Sequence, residues 1–415
     1  MIRNLLTLLI LSTSLSFGYA QRLAVFEFDL DKPTNGLEVP VSVNLDQVSF
    51  VHDSSLALIE VSGQKRTPVR FQVTQAKNRM LHWIITTAGS SSKKRVFELM
   101  KSEPSGFENM NAIVNDGSLT IQSGNQNLLR YWYKTVYPPA GVDTAYKRSG
   151  FIHPLWTPHG QELTRIQAPD HYHHYGIWNP WTHVFFEGDT VDFWNIRGRK
   201  GTVRFGKFAA VTSGPVYAEF KALHEHVAFK KDKTEKVALN EVQTVRVYKP
   251  QENQDYYLVD ITIEMTCASE SPFLIVEYRY AGLGWRATEK WNKDNSEVLT
   301  SEGKSRKEAD GSTGKWFIVQ GALDNDYGGA VMMSYPSNYN HPEPMRIWPE
   351  NSNRVGEMFA MFAPTKNTNW MLRPGKTYSL NYRFVVFNGK FTKEKAESAW
   401  QHFAHQPKIT IKSLN

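Results

Sequence analysis

The chain has 415 residues, a formal net charge of +7 at neutral pH and a single cysteine, Cys267. The length exceeds what one small core organises. The lone cysteine excludes an intrachain disulfide, and basic residues scattered without a stripe argue against nucleic acid as a partner.

Residues 1–20 carry Arg3, a serine-interrupted apolar run over 5–17, and Gly18-Tyr19-Ala20. This pattern reads as a signal peptide cleaved before Gln21, too short to span a bilayer comfortably. No continuous apolar span follows. The expectation is a periplasmic or secreted protein with no transmembrane segment in the mature chain.

Period-two alternation then dominates. Strands are predicted over 22–28, 56–60, 69–73 and 80–86, with turn residues at 31–35 and 76–78. A polar stretch over 102–115 breaks the pattern, so residues 21–110 read as a small N-terminal β-sandwich. A hairpin around Ser123-Gly124-Asn125 opens a large β-sandwich domain over 115–408. Longer strands follow over 216–229, 241–248, 256–266, 273–280, 315–319, 329–334, 357–362 and 379–387. In the third of these, Tyr257, Val259, Ile261, Ile263 and Met265 share one face and Leu258, Asp260, Thr262, Glu264 and Thr266 the other, as in a sheet with one dry side. Cys267, at the end of that pattern, reads as a small buried hydrophobe. One helix is predicted over 392–405, capped by Thr392 and striped by Ala396, Ala399, Trp400 and Phe403. The fold class is all-β: a large antiparallel double-sheet (supersandwich-like) domain preceded by a small sandwich, with one C-terminal helix.

The densest chemistry lies in Asp170-His171-Tyr172-His173-His174-Tyr175-Gly176-Ile177-Trp178-Asn179-Pro180-Trp181-Thr182-His183, which holds four of the 13 histidines. On a strand, His171 and His173 project from one face, about 7 Å apart. Such a pair can hold a divalent metal, or donate and accept toward a bound hydroxyl group. Asp170 is placed to orient one imidazole. No third metal ligand is evident nearby, so metal and other cofactors stay unassigned. Val191-Asp192-Phe193-Trp194 sets a carboxylate beside an indole, an arrangement that suits a sugar ring and its hydroxyl groups as well as an ordinary strand end. His224-Glu225-His226 reads as solvated strand surface, with His224 the better candidate. Glu277 and Arg279 fall on the apolar face of Phe273 and Ile275, where a buried acid would pair or act as a base. A polar loop follows Gly282-Leu283-Gly284-Trp285-Arg286 as far as Gly314 and contains Glu302. A second loop holds Asn338, His341 and Arg346. No phosphate loop, Gly-x-Ser-x-Gly elbow or zincin motif is present.

Thr157-Pro158-His159-Gly160, the segment from Asp170 to Trp178, Val191-Asp192-Phe193-Trp194, Thr300-Ser301-Glu302-Gly303 and Pro336-Ser337-Asn338 resemble a bacterial family called PmoA-like, also labelled methane oxygenase or a domain of unknown function. The resemblance runs from about residue 115 to the end. Tyr172 stands where relatives are expected to carry proline. The oxygenase label does not transfer, since a membrane methane oxygenase subunit needs several transmembrane helices. The resemblance implies a protein of polysaccharide-degrading bacteria. Its sheet-rich pattern is similar to the large sandwich of aldose mutarotases and some polysaccharide lyases, where histidine and glutamate handle protons beside a sugar.

The expectation is therefore an exported carbohydrate-active protein of hydrolase, lyase or epimerase type, with a glycan or small sugar as ligand. His171, His173 and His174 would supply acid–base or metal-binding groups, with Glu277 as a base. Trp178, Trp181 and Trp194 would stack on the sugar. Asp192, Arg286, His224, Glu302, Asn338 and His341 would hold its polar groups. The alternative is a non-catalytic glycan-binding or envelope protein.

Overall fold

The computed structural model describes residues 21–413 apart from 76, 88–92, 103–105, 253 and 354. The expected signal peptide lies outside the described residues, as do residue 76 of one expected turn and 103–105 of the expected boundary. The fold is all-β, built from antiparallel sheets. No helix among the described residues is long and apolar enough to cross a membrane.

Two eight-stranded sheets stack face to face. One runs in the order Met345–Ile347, Phe359–Phe362, Gly284–Arg286, Ile177–Trp178, Phe151–Leu155, Gln126–Trp132, Ser118–Ser123, Met110–Val114. The other runs Gly201–Thr212, Tyr217–Phe229, Glu235–Tyr248, Tyr256–Cys267, Tyr378–Asn388, Asp326–Ser334, Trp316–Leu323, Ser296–Thr300. The alternation read for residues 256–266 explains the packing. Tyr257, Val259, Ile261, Ile263 and Met265 are buried in the core between the sheets, against Tyr131, Trp285 and Phe384. Each such side chain contributes roughly 1.5–3 kcal/mol by leaving water. Cys267 is only half-buried at the edge of that core.

The opposite face is covered in part by the helix Lys393–Ala404. Thr392 caps it by accepting the Lys395 N–H. Ala396, Ala399, Trp400 and Phe403 pack with Leu258, Trp316 and Val385 as a second core. The small N-terminal sandwich consists of a five-stranded and a three-stranded sheet around Phe26, Trp83 and Phe97. Its outermost strand is the last of the chain, Lys408–Ser413, paired antiparallel with Gln21–Asp29.

Three local expectations change. The strand Gly201–Thr212 escaped the sequence reading because two register shifts, at Phe205/Lys207 and Phe208/Ala210, break its alternation. The strand expected over 273–280 stops at Ile275, beyond which Val276 and Tyr278 donate backbone hydrogen bonds to His183 and Thr365. The polar loop after Arg286 contains the strand Ser296–Thr300 and the one-turn helix Arg306–Ala309.

Candidate functional site: a histidine cluster beside a basic hollow

The strand His171–Tyr175 pairs with Ile166–Ala168 as a two-stranded ribbon. Gly176 then turns the chain into Ile177–Trp178, which enters the first large sheet between Phe151–Leu155 and Gly284–Arg286. Gly176 has φ 58°, and a Cβ there would stand 2.1 Å from the Ile152 carbonyl oxygen, so no larger residue fits. Its N–H donates to the Arg165 carbonyl and its own carbonyl accepts the Arg286 N–H, at 2.9 and 2.8 Å. These two bonds set Arg286, remote in sequence, beside the histidine strand.

The three imidazoles converge. Ring centroids of His171 and His173 lie 5.3 Å apart, and His174 lies 4.6 Å from each. His174 is buried and packs on Trp178, Trp194, Trp348 and Phe359. His171 and His173 are half-open. Burial, reinforced by the charges of neighbouring His171, Arg148 and Arg286, pushes His173 down to about 3. Burial likewise drives His174 well below the usual imidazole range. Both rings are neutral near pH 7.

His171 Nδ1 donates to Asp170 Oδ2 at 2.6 Å, which leaves Nε2 as the ring nitrogen turned away from the carboxylate. Arg286 braces this pair from behind. It is 1% exposed, donates to both Asp170 oxygens at 3.0–3.1 Å and to Glu357 at 2.5 Å, and lies 4.7 Å over the Trp348 ring. Asn353 donates to Asp170 and Glu357 as well. Burial raises the Asp170 carboxyl, but the His171 hydrogen bond and the Arg286 charge outweigh it and hold Asp170 well below the carboxylate range. The anion therefore persists beside His171 at all ordinary pH.

In front of His173 lies a hollow of about 600 Å³, lined also by Tyr146, His183, Asp192, Arg197 and Lys200. Asp192 accepts the backbone N–H groups of Trp194 and Asn195 and the Asn195 side chain, which fixes the turn leading to Arg197. A second hollow of about 400 Å³ lies between His82 and Arg383. Its arginines, Arg246 and Arg383, are already bonded to Glu219 and Asp260, so its charge is spent.

A sealed polar network lies deeper. Glu241 accepts from His224 Nδ1, His226 Nε2 and Asn179 Nδ2 at 2.8–2.9 Å, and Tyr131 donates to His224 Nε2 at 2.5 Å. Burial alone would raise Glu241; the two histidine bonds outweigh it and hold the carboxyl at about 2. This reverses the surface reading of His224-Glu225-His226. Both histidines point inward because their face of the strand meets the core, while Glu225 points out to Arg204. His224 is 2% exposed.

Other expected positions separate from the cluster. Trp178, Trp181 and Trp194 are 1%, 0% and 2% exposed, so no indole face is open for a sugar. Trp178 and Trp194 support His174, and Trp181 packs on Trp370 in the main core. Glu277 and Arg279 are exposed on a loop instead of facing the apolar side, since the strand that would have turned them inward ends at Ile275. Glu302 is exposed on a turn and accepts from Ser301. Asn338 is buried, tying Glu343 to the Asn381 backbone, and His341 meets Ser334 in the same cluster. Sequence reasoning missed Tyr146, Trp348, Asn353, Glu357, Arg197 and Lys200. Only the basic run Arg197-Gly198-Arg199-Lys200, close behind Asp192, carried a signal for the last two.

Among the described residues, no group of three or more His, Cys, Asp or Glu is placed to hold a metal ion. Asp170 and Glu357 instead share a guanidinium. No curated protein sequence matches the chain. Among solved structures, it is similar to a heparan sulfate lyase HepC mutant from Pedobacter heparinus, with 9% identity, 70% of this chain and 38% of that one covered, and a TM-score of 0.35. It is also similar to the GH36 alpha-galactosidase AgaA from Geobacillus stearothermophilus, with 9% identity, 68% and 40% covered, and a TM-score of 0.32. The chain thus spans about two fifths of the length of each. Residues 118–401, more than half of the chain, match the sequence profile described as a family of unknown function (DUF6807), and the chain belongs to that family.

Proposed function

We propose that this protein is exported and acts on a glycoside or polysaccharide, with His171 and His173 exchanging protons with a sugar held in the adjoining hollow. One observation carries the reading: the Asp170–His171 pair lies 5.3 Å, ring to ring, from a neutral His173 that opens on a space of sugar size. With Nδ1 on Asp170, Nε2 is the His171 atom left to take a proton from the sugar, and the Asp170 carboxylate would stabilise the imidazolium that forms. His173 lines the hollow and, neutral near pH 7, would hydrogen-bond a second oxygen of the same ring. Hydrolysis, elimination and epimerisation all need an acid and a base placed this way. Arg286 keeps Asp170 ionised and oriented and acts through it. Glu277 has no place in this arrangement. The PmoA-like resemblance belongs to this proposal as a pointer to sugars, and its oxygenase label does not.

His171→Ala and His173→Ala, each checked for folding by circular dichroism, test the reading on a panel of oligosaccharides. Turnover is expected to fall about 100-fold or more in each variant. Unchanged turnover removes the histidines from the mechanism. Saturable binding without product in the wild type identifies a glycan-binding protein instead.

A further inference from the structure

Resting on that reading, we propose that the saccharide taken by this hollow carries an anionic group, a carboxylate or a sulfate, seated on Arg197 and Lys200.

The backbone separates three neighbouring cations. Asn195 leads into the single turn Ile196–Gly198, and Arg199 follows in the left-handed region at φ 46°. That conformation costs a non-glycine residue about 1 kcal/mol or more. It sends Arg199 outward to Asp143, at 2.6 Å, while Arg197 and Lys200 line the hollow with His173. Asp192, the carboxylate on the same wall, keeps its charge but holds its oxygens to the Trp194 and Asn195 backbone and the Asn195 amide, out of ion-pair contact with either cation. No described carboxylate lies within ion-pair distance of Arg197 or Lys200, although Asp143, bonded to Arg199, also feels the Arg197 charge; Lys230, Lys236 and Arg204 by contrast all hold partners. Two exposed cations on a concave wall, neither in an ion pair, attract anions, and a guanidinium matches the paired oxygens of carboxylate or sulfate. Among the other described wall groups, Tyr146, Thr190 and a neutral His173 can supply hydrogen bonds, and Asp192 is the one carboxylate.

The test titrates glucose, glucuronate and glucose 6-sulfate into the full chain and follows the His173 ring resonances by NMR. These ligands share a ring and differ in the anion. At least one anionic sugar is expected to bind about tenfold or more tightly than glucose, a difference near 1.4 kcal/mol. Added salt should weaken that preference, and the double variant Arg197→Gln/Lys200→Gln should abolish it. The two charged arms show whether carboxylate or sulfate is read. Equal binding of all three sugars, or a preference that survives the double variant, overturns the anion seat. Equal binding of the three sugars by the wild type, alongside turnover that still needs His171 and His173, overturns this inference alone. An intact preference with turnover indifferent to both histidines overturns the proton-handling reading alone.

Discussion

Asp170 holds its place through three donors of different kinds: the His171 ring, the Arg286 guanidinium and the Asn353 amide. Only the first concerns chemistry directly. A carboxylate fixes the imidazole tautomer and steadies its protonated form, whereas an amide can turn its N–H toward Nδ1 and reverse the ring's donor and acceptor. Asp170→Asn should therefore lower kcat by about 100-fold while KM changes little, and the nitrogen shifts of His171 should report the other tautomer. A variant with full kcat would leave Asp170 a purely structural partner of Arg286.

The site exists because one turn has the right shape. Gly176 takes the ribbon His171–Tyr175 into the first large sheet, and its two backbone bonds seat Arg165 and Arg286. Gly176→Ala adds a methyl group where the Ile152 carbonyl stands, in a conformation that L residues rarely adopt. The expected cost is about 3 kcal/mol or more, read as a lowered urea midpoint. His171 and His173 should lose their mutual contact in the same variant, because the ribbon must shift to make room. A midpoint within a few tenths of a kcal/mol of the wild type would show that the turn relaxes freely.

The Glu241 network ties the molecule together. Tyr131 stands on the strand Gln126–Trp132 of one large sheet, His224, His226 and Glu241 on the other, and Asn179 just after the site strand. The Glu241 carboxyl is held at about 2 against an ordinary 4.5. A lowered folded-state value means the unfolded chain binds the proton more readily. The stabilisation is complete above pH 4.5 and is lost as pH falls from there toward 2. His226, also lowered, adds to the loss below its ordinary 6.5, since burial keeps it neutral. Glu241→Gln should cost about 3–5 kcal/mol at pH 7 and flatten the acid limb of stability between pH 4.5 and 2. Denaturant titrations across that range check both effects, and an unaltered acid limb would dissociate Glu241 from it.

The amino-acid sequence by itself determined the local periodicities. Alternation over 256–266 assigned the dry face correctly, and the stripe from Ala396 to Phe403 marked the helix, because period and burial are linked residue by residue. The grouping of His171, His173 and His174 was legible for the same reason, being contiguous in the chain. Tertiary structure alone decided which rings meet a hollow and which are sealed. Trp178, Trp181 and Trp194 looked like platforms and proved to be interior; His224 looked like surface and proved to be part of a buried network around Glu241. Arg286 joined the histidines through its bonds to Asp170, 116 residues away, Glu357 through Arg286, and Trp348 through ring contacts with His171 and His174. Exposure and charge pairing depend on what the rest of the chain brings alongside, and no local pattern carries that information.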